Sequence, residues 1–194
     1  MASSANDPAT LQGTPLLEFA RRMEAAGLDY ALIGGQAVNT WVRPRITDDF
    51  DFVVLADRAA IERFEAMLRD AGFIYLRRQD ADSWSGPDFI RMRHPDRVLT
   101  IDLQVSKLDY QDGIIERARS TTGGVPIATR EDLLIMKLIA NRSKDHKDLL
   151  ALAALDGLDW EYVELWAERW EVAGRLRDLR AWIASEDEPG VKPA

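Results

Sequence analysis

Apolar positions along the chain follow two periods, and each change of period marks an element. Leu16, Phe19, Ala20 and Met23 recur at helical spacing and predict a helix over residues 16–26, stopped by Gly27. Tyr30-Ala31-Leu32-Ile33 is a short continuous apolar run, which predicts a buried strand ending at Gly34-Gly35. A helix over 36–42 closed by Pro44, a strand over 48–55 and a helix over 58–70 follow, the last with Ile61, Phe64, Met67 and Leu68 inward and Gly72 as its end. Residues 73–76, 89–92 and 98–105 predict three more strands, with a polar loop over 80–87 that contains Ser83, Ser85 and Gly86. A short helix over 113–118 and an extended segment over 124–127 complete this part. From Arg130 to about Glu186 the pattern is wholly helical, with Thr129 and Asp132 as candidate caps.

Strands and helices thus alternate over the first two thirds and helices fill the last third, which predicts an α+β (α/β-like) core with a C-terminal helical bundle. The expected organisation is a disordered segment 1–13, a core over 14–128, a helical region over 129–186 packed on the core, and a flexible tail over 187–194 with Pro189, Gly190 and Pro193. Trp160, Trp166, Trp170 and Trp182 sit among Leu165, Val172 and Leu179 and read as packing residues of the bundle.

Composition narrows the function classes. The 194 residues contain no cysteine, which excludes a disulfide scaffold, thiol catalysis and thiolate metal sites. Two histidines, His94 and His146, are too few for a histidine-rich zinc centre, and each reads poorly as a general base. A net charge of 25 − 33 = −8 argues against non-specific coating of nucleic acid, while leaving local basic sites open. No apolar run reaches the ~18 residues of a membrane span and no signal peptide opens the chain, so a soluble, cytoplasmic protein is expected.

Arg45-Ile46-Thr47-Asp48-Asp49-Phe50-Asp51-Phe52-Val53-Val54 is the informative stretch. Residues two apart share a strand face, so Arg45, Thr47, Asp49 and Asp51 are expected on one side and Phe50, Phe52 and Val54 in the core. Two carboxylates on one face repel each other, and a divalent cation relieves that; a solvated edge strand is the plain alternative. Gly34-Gly35, between a strand and a helix, makes a turn without Cβ atoms where backbone N–H groups can meet a phosphate, although many glycine pairs are only turns. On the strand Leu99 to Val105, Asp102 shares the polar face with Thr100 and Gln104. Carboxylates on neighbouring strands opposite a glycine turn suit phosphoryl transfer, two holding metal on a triphosphate and the third completing a second metal site or taking the proton from an attacking hydroxyl.

Gly34-Gly35, a gap of thirteen residues, Asp49-Phe50-Asp51-Phe52 and then the lone Asp102 resemble the DNA-polymerase-β-type nucleotidyltransferase superfamily. Gly34-Gly35-Gln36-Ala37, followed by Arg45-Ile46-Thr47-Asp48-Asp49-Phe50-Asp51, is similar to the branch of AbiEii-type abortive-infection toxins and the related MenT toxins. So is Glu131-Asp132-Leu133-Leu134-Ile135-Met136-Lys137-Leu138-Ile139-Ala140-Asn141-Arg142-Ser143-Lys144-Asp145-His146-Lys147-Asp148-Leu149, and the likeness runs from about Leu32 to Leu152. The resemblance implies a nucleotidyltransferase core of a small mixed sheet flanked by helices. It implies an enzyme that moves a nucleoside monophosphate from an NTP to a hydroxyl, with Mg²⁺ (or Mn²⁺) as cofactor. Asp49, Asp51 and Asp102 would hold metal, and Asp102 would also serve the acceptor. Gly34, Gly35, Arg45 and Thr47 would bind the triphosphate. Lys137 would contact phosphate or nucleotide, and Asp145 or Asp148 would be a further functional carboxylate, the residues leaving open which. The branch implies the tRNA 3′ end as acceptor and a cognate antitoxin as partner.

Read without the family, Lys137 lies in an otherwise apolar helix, where a lysine commonly carries its amine out to water. If that helix runs through Ser143, Lys137, Asn141, Lys144 and Asp148 share a face. Arg43/Arg45, Arg77/Arg78, Arg91/Arg93 and Lys144/Lys147 are candidate parts of an RNA track, or plain solvated faces. Two other functions stay open: transfer to an antibiotic-like small molecule or a protein side chain, and a catalytically silent nucleotide-binding module.

Overall fold

A computed structural model describes residues 15–47, 49–82, 86–96, 99–120 and 124–186. The expected disordered start, the tail beyond 186, Asp48, Val98 and loop residues Ser83 to Ser85 lie outside the described residues. The chain divides into two compact units, Met1–Thr129 and Arg130–Ala194.

The first unit is a mixed α+β layer structure. In chain order it contains α1 (Pro15–Ala26), β1 (Asp29–Ile33), α2 (Gly34–Trp41), β2 (Asp49–Leu55), α3 (Arg58–Asp70), β3 (Ile74–Asp82), β4 (Gly86–Arg93), β5 (Thr100–Val105), α4 (Asp109–Arg117), β6 (Arg119–Ser120) and β7 (Pro126–Ile127). The strands form one sheet in the order β3-β4-β5-β2-β1-β7-β6, with β2 antiparallel to β1 and parallel to β5. Phe19 of α1 anchors the core, its ring 5.5 Å from both Phe52 of β2 and Phe64 of α3. Ile90, Met92, Ile101 and Leu103 are fully buried, as alternation on β4 and β5 requires. Asp57 caps α3 by accepting from the Ala60 N–H at 2.7 Å.

Three sequence expectations change here. The polar loop over 80–87 is instead the outer end of a long β3–β4 hairpin, paired as far as Asp82 and Gly86. Polar residues pair there because the ladder is made by backbone N–H and C=O groups. Second, α2 begins at Gly34 rather than Gln36, with Gly34 at φ +68° making the turn out of β1. Third, Arg45 and Thr47 do not continue the β2 strand. Asp49 pairs with Thr100, the first residue of β5, while on the other side β1 has already ended at Ile33, opposite Asp51. Residues before Asp49 therefore have no ladder to join.

The second unit is helical: α5 (Arg130–Ala140), a 3₁₀ turn (Ser143–Asp145), α6 (His146–Ala153), α7 (Trp160–Arg169) and α8 (Ala173–Glu186). Leu133, Leu134, Leu138, Leu152, Val163 and Leu176 fill its interior. The tryptophans pack nearer the rim than expected. Trp160 and Trp166 lie under the guanidiniums of Arg180 and Arg169, and Trp182 stacks on His146 at 4.4 Å between ring centroids. Leu165, expected among them, is exposed. The helix through Lys137 does not run on: α5 ends at Ala140, and Asn141 takes φ +48°. Among the described residues no helix is long and apolar enough to cross a membrane.

Candidate active site

Strand direction assembles the first group of residues. Because β1 and β2 are antiparallel, the end of β1 lies beside the start of β2, with Ile33 opposite Asp51. The glycine turn that follows Ile33 is thereby delivered to the two aspartates. An ideal Cβ on Gly34 would stand 2.0 Å from Asp51 Oδ2, so Asp51 occupies the space a side chain would take. A Cβ on Gly35 would be 3.1 Å from Thr47 Oγ1 and 3.3 Å from an Arg45 guanidinium nitrogen. Gly34, Gly35, Asp51, Thr47 and Arg45 are thus neighbours, although Arg45 and Thr47 arrive on a loop rather than on a strand.

Side chains of α2 hold that loop. Asn39, buried within the helix, donates to the Arg45 carbonyl at 2.7 Å and accepts from the Arg45 N–H at 3.0 Å. Gln36 donates to the Thr47 carbonyl at 3.1 Å. The N-cap residue of α2 is Ile33, which has no side-chain acceptor to offer the first-turn N–H groups.

Sheet register supplies the rest. Asp49 and Asp51 are half-buried and alternate with buried Phe50 and Phe52, as the sequence pattern requires. Asp102 is the direct partner of Asp51 on β5, and Arg91 is the direct partner of Asp102 on β4. Paired residues share a face, so Asp51, Asp102 and Arg91 form a row across three strands. Arg91 grips Asp102 with two nitrogens, Nε donating to Oδ1 at 2.7 Å and the second to Oδ2. Asp102 is buried, while the Arg91 side chain keeps 43% of its exposure. The hydrogen bond to Asp102 raises the Arg91 pKa above its ordinary value; partial burial opposes this, and the charges of Asp102, Asp49 and Asp51 add to it.

Arg91 is the residue that sequence reasoning missed, having been read only as half of a basic pair. Asn39 and Gln36 were missed as loop anchors. Alternation on β4 and a short β4–β5 hairpin are the signals that point to Arg91 opposite Asp102.

The donor set fits a hard divalent cation. Asp49 and Asp51 offer carboxylate oxygens on one strand face, and the Cβ-less Gly34 leaves room for Asp51 beside the start of α2. Among the described residues no three carboxylate or imidazole side chains converge to hold an ion together, and Asp102 is turned to Arg91.

The second unit holds the remaining predicted residues. Lys137 does not reach water: its Nζ donates to Asp145 at 3.1 Å and to Asp148 at 2.7 Å, and all three residues are buried. Both candidate carboxylates therefore face the same amine. Arg142 adds two hydrogen bonds to Asp145. Burial pushes the Asp145 pKa up, but the bonds from Arg142 and Lys137 outweigh it and hold the group below the ordinary 3.8. Both histidines are in aromatic contacts, His146 on Trp182 and His94 against Phe73 at 5.1 Å.

No protein-family model matches the chain, and no curated protein matches it in sequence. Solved structures do match in shape. The antibiotic-resistance factor ANT(2″)-Ia aligns over 88% of this chain and 96% of its own, at 14% identity and a TM-score of 0.54. An antigenic nucleotidyltransferase-like protein from Paracoccidioides brasiliensis aligns over 93% and 94%, at 18% identity and a TM-score of 0.50. These likenesses identify the architecture: the chain has the nucleotidyltransferase fold.

Proposed function

We propose that the protein is a metal-dependent nucleotidyltransferase that moves a nucleoside monophosphate from an NTP onto a hydroxyl acceptor. The observation that carries the reading is the space at Gly34, filled by the Asp51 carboxylate, with Asp102 in register beside it. Asp49 and Asp51 would hold Mg²⁺ (Mn²⁺ being the alternative), which supplies charge neutralisation and polarisation of the reacting phosphate. Gly34 and Gly35 let the triphosphate approach the start of α2, with Arg45 and Thr47 beside it on the loop that Asn39 holds. Asp102 takes the acceptor's proton as the hydroxyl oxygen bonds to the α-phosphorus; the bond to pyrophosphate breaks, and pyrophosphate leaves with the electron pair. Arg45 balances the charge that builds on it.

Lys137 retains the nucleotide-binding role implied by the resemblance as a proposal, with its third N–H offered to phosphate while Asp145 and Asp148 keep the other two. The acceptor proposed is the 3′ end of tRNA, and the biological role that of a toxin with a cognate antitoxin. Its support is the branch resemblance, together with Arg91 and the exposed Arg93 on the Asp102 side of the sheet. The net charge of −8 favours a second reading, transfer to a cationic small molecule, which the likeness to an antibiotic-resistance factor accompanies.

The test is incubation with each α-labelled NTP, Mg²⁺, total tRNA and, separately, an aminoglycoside, with an Asp49→Ala control. Label on tRNA that vanishes in the control supports the leading reading, and label on the aminoglycoside supports the second. Absence of transfer to any acceptor, with NTP still bound, indicates a silent module.

A further inference from the structure

Asp102 carries a demand that Arg91 obstructs. On the reading above it must accept a proton or a metal ion, yet both of its oxygens already accept from one guanidinium. With Arg91 in place, an ion that needs Asp102 meets the guanidinium's charge and its two hydrogen bonds, whereas a site on Asp49 and Asp51 does not use that carboxylate.

We propose that Arg91 is the positioning residue of Asp102, and that its guanidinium keeps a divalent cation off that carboxylate until nucleotide is bound. This inference rests on the metal-dependent reading above. Three observations support it. The pair is bidentate and aims both Asp102 oxygens along the sheet. One partner is buried while the other is exposed, so Arg91 leaves without exposing the core. The Arg91 Cζ also stands 5.7 Å from the centroid of Phe89, two residues earlier on the same strand face, so a released guanidinium keeps an aromatic ring beside it. A triphosphate gives it a stronger anionic partner than the ring, which couples release of Asp102 to arrival of the nucleotide.

The experiment is Mn²⁺ titration of the full, nucleotide-free chain, reading free Mn²⁺ by electron paramagnetic resonance. Wild type is expected to bind one ion, lost in Asp49→Asn. Arg91→Gln frees Asp102 and is expected to bind a second ion, or the first more tightly by about tenfold or more, the ratio for releasing a carboxylate from a charge-assisted pair. Arg91→Lys keeps the charge without the fork and is expected to fall between the two. The double variant Arg91→Gln/Asp102→Asn, which leaves no uncompensated buried charge, is expected to return to the wild-type titration. Asp49-dependent Mn²⁺ binding that is the same in wild type, Arg91→Gln and Arg91→Lys overturns the proposal while leaving the metal centre standing. Absence of Asp49-dependent binding in every variant overturns the metal centre and this proposal with it.

Discussion

Gly34→Ala adds a single methyl group at the tightest point of the site. Its Cβ would meet Asp51 Oδ2 at 2.0 Å, Cγ at 2.5 Å and Cβ at 2.7 Å. Since real Cβ atoms essentially never approach closer than 3.0 Å, the carboxylate must retreat by at least 3.0 − 2.0 = 1.0 Å. Backbone adds a second cost, because φ +68° is a left-handed conformation that disfavours an L side chain by about 1–2 kcal/mol. The stiffer unfolded chain returns about 0.4–1 kcal/mol, and crowding costs about 1–3 kcal/mol. Net destabilisation of about 1–5 kcal/mol is expected, together with loss of transfer on the order of 100-fold, since about 1 Å of misplacement has that effect on reacting groups.

A double-mutant cycle in urea separates the two terms. Asp51→Gly removes all three crowded atoms, so Gly34→Ala in that background costs only its backbone term, and the coupling recovers the crowding of about 1–3 kcal/mol. Asp51→Ala leaves its Cβ, still short by 3.0 − 2.7 = 0.3 Å, and is expected to recover most of the coupling but not all. Gly35→Ala is the internal control: its neighbours stand at 3.1 and 3.3 Å, and its φ is not left-handed. Thr47 and Arg45 need give by only a few tenths of an ångström, so it is expected to cost clearly less than Gly34→Ala. Additivity of Gly34→Ala with Asp51→Gly, or equal stability of Gly34→Ala and Gly35→Ala, refutes the reasoning.

Asp49→Asn is expected to abolish transfer with a thermal midpoint equal to or above wild type in metal-free buffer, because it relieves repulsion between neighbouring carboxylates; a lowered midpoint contradicts this. Asn39→Ala removes both hydrogen bonds to Arg45 and is expected to destabilise by about 1–3 kcal/mol and to raise KM for NTP more than it lowers kcat, read from urea unfolding and initial rates. Lys137→Ala leaves Asp145 and Asp148 buried without their amine and is expected to cost about 3–5 kcal/mol at neutral pH, whereas an unchanged denaturation curve rejects the buried pairing. Asp145, with its folded pKa below 3.8, contributes stability that is complete above the ordinary aspartate value and is lost as the pH falls through 3.8 and below. An acid-unfolding series is expected to show a shallower limb in that window for Asp145→Asn.

The sequence patterns that rest on local periodicity are reproduced where both neighbours of an element are buried. The helix over 58–70 matches α3 residue for residue, and Asp49 and Asp51 alternate with Phe50 and Phe52 as the period of two requires. Patterns that depend on where a ladder stops are not local. Arg45 and Thr47 continue the alternation of β2 on paper, but the sheet ends at Asp49 because β5 starts opposite it and β1 has already turned into α2. Register was equally out of reach. Alternation puts Arg91 and Asp102 on the polar faces of β4 and β5, but only the hairpin length sets Arg91 opposite Asp102 rather than Thr100 or Gln104. Lys137 shows a different failure. Its helix ends at Ala140, and the bend at Asn141 brings Asp145 back onto an amine that a straight helix would have left near Asn141.

Two acidic groups among the described residues use cations in opposite ways, and burial decides which. Lys137, Asp145 and Asp148 are all buried, so separating them leaves charge in a poorly solvated interior and the group holds as a unit. Asp102 is buried, but its partner Arg91 keeps much of its side chain in water, so the cost of parting falls on the carboxylate and not on the guanidinium. The charge it leaves on Asp102 is not solvated by water and must be met by another cation or by a proton. That requirement makes the arginine a conditional partner of Asp102: the pair opens when something arrives to take the carboxylate, and otherwise stays closed. Arg91→Gln tests the distinction directly, because it is expected to change how the site takes Mn²⁺, whereas Lys137→Ala is expected to change how the helical unit unfolds.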